Sequence, residues 1–179
     1  MKPSQQIAEK QIYRVVIEAP IDKVWATFTK SGEVLPFFFG SVLHTTSLAP
    51  GAPVRMRTPN GKHTGVVGEV LEFDPPHRYS HTFKFTQLDD PLCIVTYELK
   101  SIEGGTEFTL TTTQVPKGTK TEKQMAGGGK IIVSALKHYV ETGRYGWVPT
   151  CIVWMGKLMG PFTPRKCRSE LWPLDKKIE

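Results

Sequence analysis

Apolar and polar side chains alternate along residues 54–112, with turn-forming residues between the alternating stretches. A two-residue period is typical of strands with one buried face, so it predicts an antiparallel sheet that is apolar on one side. The apolar side collects Val54, Met56, Val67, Glu69, Leu71, Phe73, Tyr79, His81, Phe83, Phe85, Cys93, Val95, Tyr97, Leu99, Phe108 and Leu110. The apolar exceptions on the polar side include Val66, Val70 and Ile94.

Two pairs of turn residues, Asn60-Gly61 and Gly104-Gly105, predict tight hairpins because such turns need residues that tolerate positive φ. The pairs that follow from closing these turns are Met56 with Gly65, Val54 with Val67, Leu99 with Leu110 and Tyr97 with Thr112. The turn residues of the reversal at Asp74-Pro75-Pro76-His77 do not fix the register of the two strands that it joins. The apolar alternation selects this register instead. That choice pairs Phe73 with Tyr79, Leu71 with His81 and Glu69 with Phe83. A looser reversal follows at residues 87–91 and pairs Phe85 with Cys93. All of these pairings assume that no β-bulge intervenes, since a bulge reverses the parity of every residue beyond it.

Helical periods flank the sheet. A strand at residues 11–18 ends at Pro20, which is suited to begin a helix, and a second short helix is predicted at residues 33–38. Residues 120–142 predict a long helix, capped by Gly143. Its apolar stripe consists of Met125, Ile132, Ala135, Leu136, Tyr139 and Val140.

Three consecutive glycines, residues 127–129, lie inside the long predicted helix. Each glycine costs about 1 kcal/mol relative to alanine in a helix. The run therefore marks either a close approach of another element or a break, in which case the helix begins near Lys130.

The order of elements predicts an α+β fold in which a curved antiparallel sheet wraps around one long C-terminal helix. One helix cannot cover the whole concave face, so a cavity is expected. The residues expected to contact a ligand there are Phe37, Phe38, Met56, Glu69, Leu71, His81, Phe83, Tyr97, Phe108, Leu136 and Tyr139. Among them, Glu69 and His81 supply the polar contacts. The aromatic cluster Phe37-Phe38-Phe39 is expected either to form a gate for the ligand or only to close the core.

Composition limits the alternatives. A chain of 179 residues with 39% hydrophobic residues fits one globular domain. Of its net charge of +6, the stretch 144–179 accounts for +4, with seven basic and three acidic residues. The N-terminus lacks the apolar core of a signal peptide, so a cytoplasmic location is expected. The histidines and the three cysteines show no metal-ligand spacing, so neither a metal nor a cofactor is predicted.

Three motifs carry a resemblance to a known family: IEAPIDKVWATFT (residues 17–29), GEVLEFDPPHRYSHTF (residues 68–83) and SALKHYVETG (residues 134–143). With them the chain resembles START-like helix-grip (SRPBCC) proteins, and within these the activators of the heat-shock protein 90 ATPase. The resemblance implies a helix-grip fold over residues 1–143, whose long C-terminal helix closes a cavity. It leaves a C-terminal extension, residues 144–179, without a counterpart in the family.

These observations support three functional hypotheses. The leading one is a non-enzymatic protein that binds a small apolar or amphipathic molecule in the cavity. A second is a cyclase- or hydrolase-like enzyme in which Glu69 and His81 act as an acid/base pair. A third, which rests on the resemblance alone, is a co-chaperone that contacts the heat-shock ATPase. The alternative without a functional role is that Glu69 and His81 only form a hydrogen bond with each other at the cavity mouth, or that a bulge turns Glu69 outward.

The C-terminal extension contains a largely apolar stretch, residues 147–162, followed by the basic cluster Arg165-Lys166-Cys167-Arg168. We expect this stretch to pack on the domain or to pair two subunits as a homodimer. Contact with anionic lipid is the weaker alternative, because Lys157 and two glycines interrupt the apolar stripe. No nucleic-acid partner is predicted, because no recognition module accompanies the basic cluster.

Overall fold

An eight-stranded antiparallel sheet curls around one long helix. The computed structural model describes residues 6–144 and 163–178. The strands and helices are β1 (Gln11–Ile17), α1 (Ile21–Phe28), β2 (Val34–Leu35), β3 (Ser41–His44), β4 (Pro53–Arg57), β5 (Thr64–Asp74), β6 (Arg78–Phe85), β7 (Cys93–Ile102), β8 (Gly105–Thr113) and α2 (Lys120–Thr142). The strand order is β1-β8-β7-β6-β5-β4-β3-β2. This arrangement confirms the predicted α+β helix-grip fold.

The region after β1 differs in part from the prediction. Helix α1 begins after Pro20 and buries Val24, Trp25 and Phe28, as the periodicity indicates. The second predicted short helix, at residues 33–38, is instead the two-residue strand β2 followed by a single 3₁₀ turn, Pro36–Phe38. Phe39 then adopts the left-handed conformation with φ 56°. A residue in that region cannot continue a right-handed helix, so the turn ends there.

Helix α2 begins at Lys120 rather than near Lys130. The Thr119 hydroxyl accepts a hydrogen bond from the Glu122 amide at 3.2 Å, which satisfies one free N–H group of the first turn. At the other end Gly143 forms the predicted cap with φ 68°. The helix does not break at its glycines, and Gly129 marks a close approach, since a Cβ there would lie 2.2 Å from Cε2 of Tyr13.

The register of β7 against β8 is shifted from the predicted one, but its parity is as predicted. Tyr97 lies opposite Leu110 rather than Thr112, because the turn closes between Ile102 and Gly105. A shift of two residues leaves every side chain on its predicted face. Cys93 likewise lies opposite Phe83 instead of Phe85, again with parity preserved.

Strand β5 departs from the predicted parity through two bulges. Phe73 pairs with Tyr79 as predicted, but a bulge between Val70 and Glu72 then places Val70, not Leu71, opposite His81. The second bulge is at Gly65 of β5, because Met56 lies opposite Val66 and Arg57 lies opposite Thr64. Val54 consequently faces Gly68 instead of the predicted Val67, and Met56 faces Val66 instead of Gly65.

These two bulges explain why Glu69 and Leu71 are not where the alternation put them. Glu69 is exposed, and Leu71 is 42% exposed beside the bulge. Val67 and Glu69 alternate with the inward-facing Val66, so they lie on the outer face of the sheet. The predicted placement of Val67, Glu69 and Leu71 on the apolar face is therefore wrong.

The outer face of β4 and β5 is covered by the C-terminal segment, residues 163–178. The Ser169 amide donates to the Lys62 carbonyl at 3.0 Å. Arg55 donates through Nη2 to the carbonyls of Pro173 and Lys176, at 3.2 and 2.6 Å. The division of the chain at residue 143 stays a prediction, and the apolar stretch 147–162 lies outside the described residues.

Candidate functional site

A cavity of about 330 Å³ lies between the inner face of the sheet and the first half of α2. The described residues that line it are Phe28, Leu35, Phe38, Phe39, Ser41, Leu43, Val54, Met56, Val66, Tyr79, His81, Phe83, Phe85, Val95, Tyr97, Leu110, Thr112, Gln124, Met125, Gly128, Gly129 and Ile132. None of these residues carries a formal charge at neutral pH if His81 is neutral. The cavity is thus an apolar space with a small number of uncharged polar groups.

The glycines of α2 account for part of this space. Gly128 and Gly129 line the cavity, and side chains there would project toward Phe39 and Tyr13. The Tyr13 hydroxyl donates to the Ala126 carbonyl at 3.1 Å, which fixes the strand close to the helix. The helix therefore approaches the sheet closely at β1 and presents little side-chain volume to the cavity.

The structure brings some of the predicted ligand-contacting residues together at the cavity. Five of them line it: Phe38, Met56, His81, Phe83 and Tyr97. Four others are in the core or packed against it rather than at the cavity surface: Phe37, Phe108, Leu136 and Tyr139. Phe37, for example, packs edge-on against Phe38, with ring centroids 5.0 Å apart. Glu69 and Leu71 are absent from the described lining residues.

His81 is the central polar residue of the site. It is 5% exposed, and its Nδ1 lies 2.7 Å from the carbonyl oxygen of Thr82. Burial lowers the pKa of His81 to about 4, although the contact with the Thr82 carbonyl acts in the opposite direction. The imidazole is therefore neutral at ordinary pH.

Two tyrosines stack beside His81. Tyr79 and Tyr97 lie nearly parallel with ring centroids 5.6 Å apart, and His81 lies 5.2 Å from Tyr79 and 5.9 Å from Tyr97. Burial raises the pKa of both phenols, so they are neutral as well. The three rings form a continuous aromatic surface at the cavity, which we call the ring stack (Tyr79, His81 and Tyr97).

Gly68 allows the backbone geometry next to the ring stack. A Cβ on Gly68 would lie 1.8 Å from the Thr82 carbonyl oxygen, so no other residue fits there without a backbone shift. That same oxygen contacts His81 Nδ1. Gly68 therefore permits the strand approach that holds the imidazole, a role that sequence reasoning did not identify.

The acid/base pair required by the enzyme alternative is not formed. Glu69 is exposed on the outer face, whereas His81 lies on the inner face and pairs with Val70. The bulge places Val70 opposite His81, and the side chain of Glu69, the residue before Val70, points to the opposite face of the sheet.

Sequence reasoning also missed several lining residues. Met125 belongs to the predicted apolar stripe of α2, and Val66 was an apolar exception on the polar face, so the sequence pattern could have indicated that both are buried. The sequence pattern gives no indication that Gln124 and Ser41 face a cavity, because single polar residues are common on any protein surface. Only the fold shows that these side chains face the cavity.

Within residues 6–144 and 163–178, no group of three or more His, Cys, Asp or Glu side chains is arranged to hold a metal ion. Among the helices of the same two ranges, none combines the length and apolar character that crossing a bilayer requires.

Comparison with known proteins agrees with this architecture. Residues 18–141 match the family described as activator of Hsp90 ATPase homolog 1-like protein. The comparison of the sequence with curated proteins gives no significant match.

Several solved structures share the fold. The Aha1 dimer from Colwellia psychrerythraea is 14% identical, with a TM-score of 0.61 over 76% of this chain and 99% of that one. An HSP90 activator from Plasmodium falciparum is 19% identical, with a TM-score of 0.61 over 78% and 99%. CalU16 from Micromonospora echinospora is 17% identical, with a TM-score of 0.59 over 85% and 86%. These identities establish the fold alone, whereas the match over residues 18–141 establishes the family: the chain belongs to the activator of Hsp90 ATPase homolog 1-like proteins.

Proposed function

We propose that this protein binds a small, uncharged and largely apolar molecule in the cavity between α2 and the sheet. The observation that carries the proposal is the cavity itself, which measures about 330 Å³. Ligand pockets of globular proteins start at about this size, and they combine apolar walls with a few polar groups that orient the ligand. Phe38, Met56, Phe83 and Tyr97 supply apolar contacts, and His81 supplies a polar one.

The balance of the lining supports an uncharged ligand. Transfer of an ion into an apolar site without a partner costs several kcal/mol or more. The described lining residues offer no lysine, arginine, aspartate or glutamate to compensate that cost. A neutral molecule gains from burial of its apolar surface, at about 25 cal/mol per Å².

The test uses the neutral fluorescent probe N-phenyl-1-naphthylamine and a variant that fills the cavity. Ile132 lines the cavity, so Ile132→Trp places an indole in the proposed ligand space. We expect saturable one-to-one binding by the native protein, and at least about ten-fold weaker binding by Ile132→Trp. Ser134→Trp, on the exposed side of the same helix, is the matched control and retains native affinity. Equal binding by all three proteins, or binding by none, overturns the proposal.

A further inference from the structure

The contact between His81 and the backbone determines which ring nitrogen carries the proton. A carbonyl oxygen accepts hydrogen bonds and cannot donate one. Nδ1 of His81 lies 2.7 Å from the Thr82 carbonyl oxygen, so Nδ1 must carry the hydrogen. In a neutral imidazole the other nitrogen, Nε2, is then unprotonated and acts only as an acceptor.

None of the described residues donates a hydrogen bond to this acceptor. Among the hydrogen bonds of residues 6–144 and 163–178, His81 takes part through Nδ1 alone. His81 also lines the cavity, and Nε2 is the ring nitrogen left for a ligand. The titratable groups packed beside the ring are the phenols of Tyr79, on its own strand, and Tyr97, on β7. Both are neutral, so no neighbouring charge of the described lining changes the state of the imidazole.

We infer that the cavity selects a neutral, planar molecule whose hydroxyl group donates a hydrogen bond to His81 Nε2. This inference rests on the proposed function and specifies the class of its ligand. Aromatic rings make up much of the cavity lining, those of the ring stack together with Phe83 and Phe85, and they favour an aromatic, planar ligand over a branched aliphatic one. A ligand group that only accepts hydrogen bonds would face the lone pair of Nε2 and leave both atoms unsatisfied. A carboxylate would in addition carry an unpaired charge into the cavity.

Three naphthalene probes of similar size separate these chemistries. 2-Naphthol donates a hydrogen bond, 2-fluoronaphthalene cannot donate one, and 2-naphthoate is an anion. We expect the native protein to bind 2-naphthol most tightly of the three and 2-naphthoate most weakly, measured by calorimetry at pH 7. Tightest binding of 2-naphthoate would overturn the inference.

The variant His81→Phe removes the acceptor and keeps a ring in the stack. A hydrogen bond to a neutral group contributes up to about ten-fold in affinity. The preference for 2-naphthol over 2-fluoronaphthalene should therefore fall about ten-fold in His81→Phe relative to the native protein. An unchanged preference contradicts the inference.

Nitrogen-15 NMR of the native protein keeps the test independent of how well the variant folds. The expected spectrum shows a protonated Nδ1 and an unprotonated Nε2, and the Nε2 resonance moves on addition of 2-naphthol but not of 2-fluoronaphthalene. A protonated Nε2 in the unliganded protein overturns the inference. Failure of the proposed function is a different result, because then none of the three probes binds or Ile132→Trp does not weaken their binding.

Discussion

The two faces of the sheet bury a basic side chain in opposite ways. On the inner face, His81 is 5% exposed and loses its charge, since burial lowers its pKa to about 4. On the outer face, Arg55 is completely buried. Burial also lowers the pKa of Arg55, with a smaller contribution from neighbouring Arg57. A guanidinium nevertheless stays charged in proteins, so the outer face contains a buried ion.

The number of acceptors explains the difference. His81 contacts one carbonyl, that of Thr82. Arg55 donates to four carbonyls, two on the sheet at Val54 and Gly68 and two in the C-terminal segment at Pro173 and Lys176. Carbonyl dipoles around a buried cation replace part of the hydration that it loses. On the outer face the chain thus supplies four acceptors to the two Nη atoms of Arg55, although Arg55 Nε has no partner among the described residues, whereas the inner face keeps an acceptor and free space for a ligand.

Replacement of Arg55 is expected to produce the largest effect. Arg55→Met keeps an apolar stem but removes the donors to four carbonyls. We expect the free energy of unfolding to fall by about 4 kcal/mol, because hydrogen bonds to a charged group contribute about 1.5–3 kcal/mol each and removal of the buried charge recovers part of that loss. Urea denaturation measures this loss. Hydrogen exchange of residues 164–178 should also become faster, since the C-terminal segment loses its anchor.

Arg14→Met is the matched control for this measurement. The Arg14 side chain is 60% exposed and lies 3.7 Å from Glu107, so its ion pair is solvated. Its replacement should change stability by less than about 0.5 kcal/mol. If Arg55→Met is as stable as Arg14→Met, Arg55 does not hold the C-terminal segment on the sheet.

The buried neutral imidazole of His81 should make the free energy of unfolding depend on pH. The unfolded chain protonates His81 near its ordinary pKa of 6.5, whereas the folded chain resists protonation down to about pH 4. Between these values the unfolded state binds more protons, so stability falls as the pH decreases. The shift corresponds to about 3 kcal/mol, lost progressively below pH 6.5 and completely below about pH 4.

The measurement compares urea denaturation of the native protein and His81→Phe from pH 7.5 to pH 4. Carboxylates and His44, whose pKa is also lowered by burial and by Arg57, titrate in both proteins and cancel in the difference. The native protein should lose about 3 kcal/mol more than the variant over this range. If the two pH profiles are parallel, His81 takes up its proton at the same pH in the folded and the unfolded chain. The proposed difference between the two faces of the sheet is then wrong.

Whether a strand is covered on one face or on both explains which parts of the fold were predictable from the sequence. Residues of β6, β7 and β8 alternate cleanly, so their inward-facing side chains, including His81 and Tyr97, follow from the sequence. Part of strand β5 is buried on both faces, because Val67 on the outer face and Val70 on the inner face are both buried, although Glu69 between them is exposed. A strand covered on both sides carries apolar residues at both parities, and its register cannot be read from alternation.

The placement of Glu69 failed for this reason. The apolar exceptions Val66 and Val70 already indicated the true inward parity of β5, but each also fits a strand with an occasional apolar residue outside. A bulge depends on pairing with a particular partner strand, and that information is not local to the sequence. The cavity was predictable from the order of elements, whereas of the two polar contacts predicted for it, Glu69 and His81, only His81 lines it.

The smallest expected effect concerns two glycines of α2, the helix that bounds the cavity. A Cβ on Gly127 meets no atom within 4 Å, so Gly127→Ala should stabilise the protein by about 1 kcal/mol through helix propensity alone. A Cβ on Gly129 would lie 2.2 Å from the Tyr13 ring, whose hydroxyl is bonded to Ala126. Overpacking typically costs 1–3 kcal/mol, so Gly129→Ala should destabilise the protein by about 1 kcal/mol after the gain in propensity.

A second background isolates the cause of that difference. With Tyr13→Ala, the ring that blocks position 129 is gone, and Gly129→Ala should become stabilising by an amount close to that of Gly127→Ala. Thermal denaturation of the four variants measures the coupling between the two positions. If Gly129→Ala remains destabilising without the tyrosine ring, contact with Tyr13 is not the reason for glycine there. The close approach of α2 to β1 would then not account for the space that the helix leaves in the cavity.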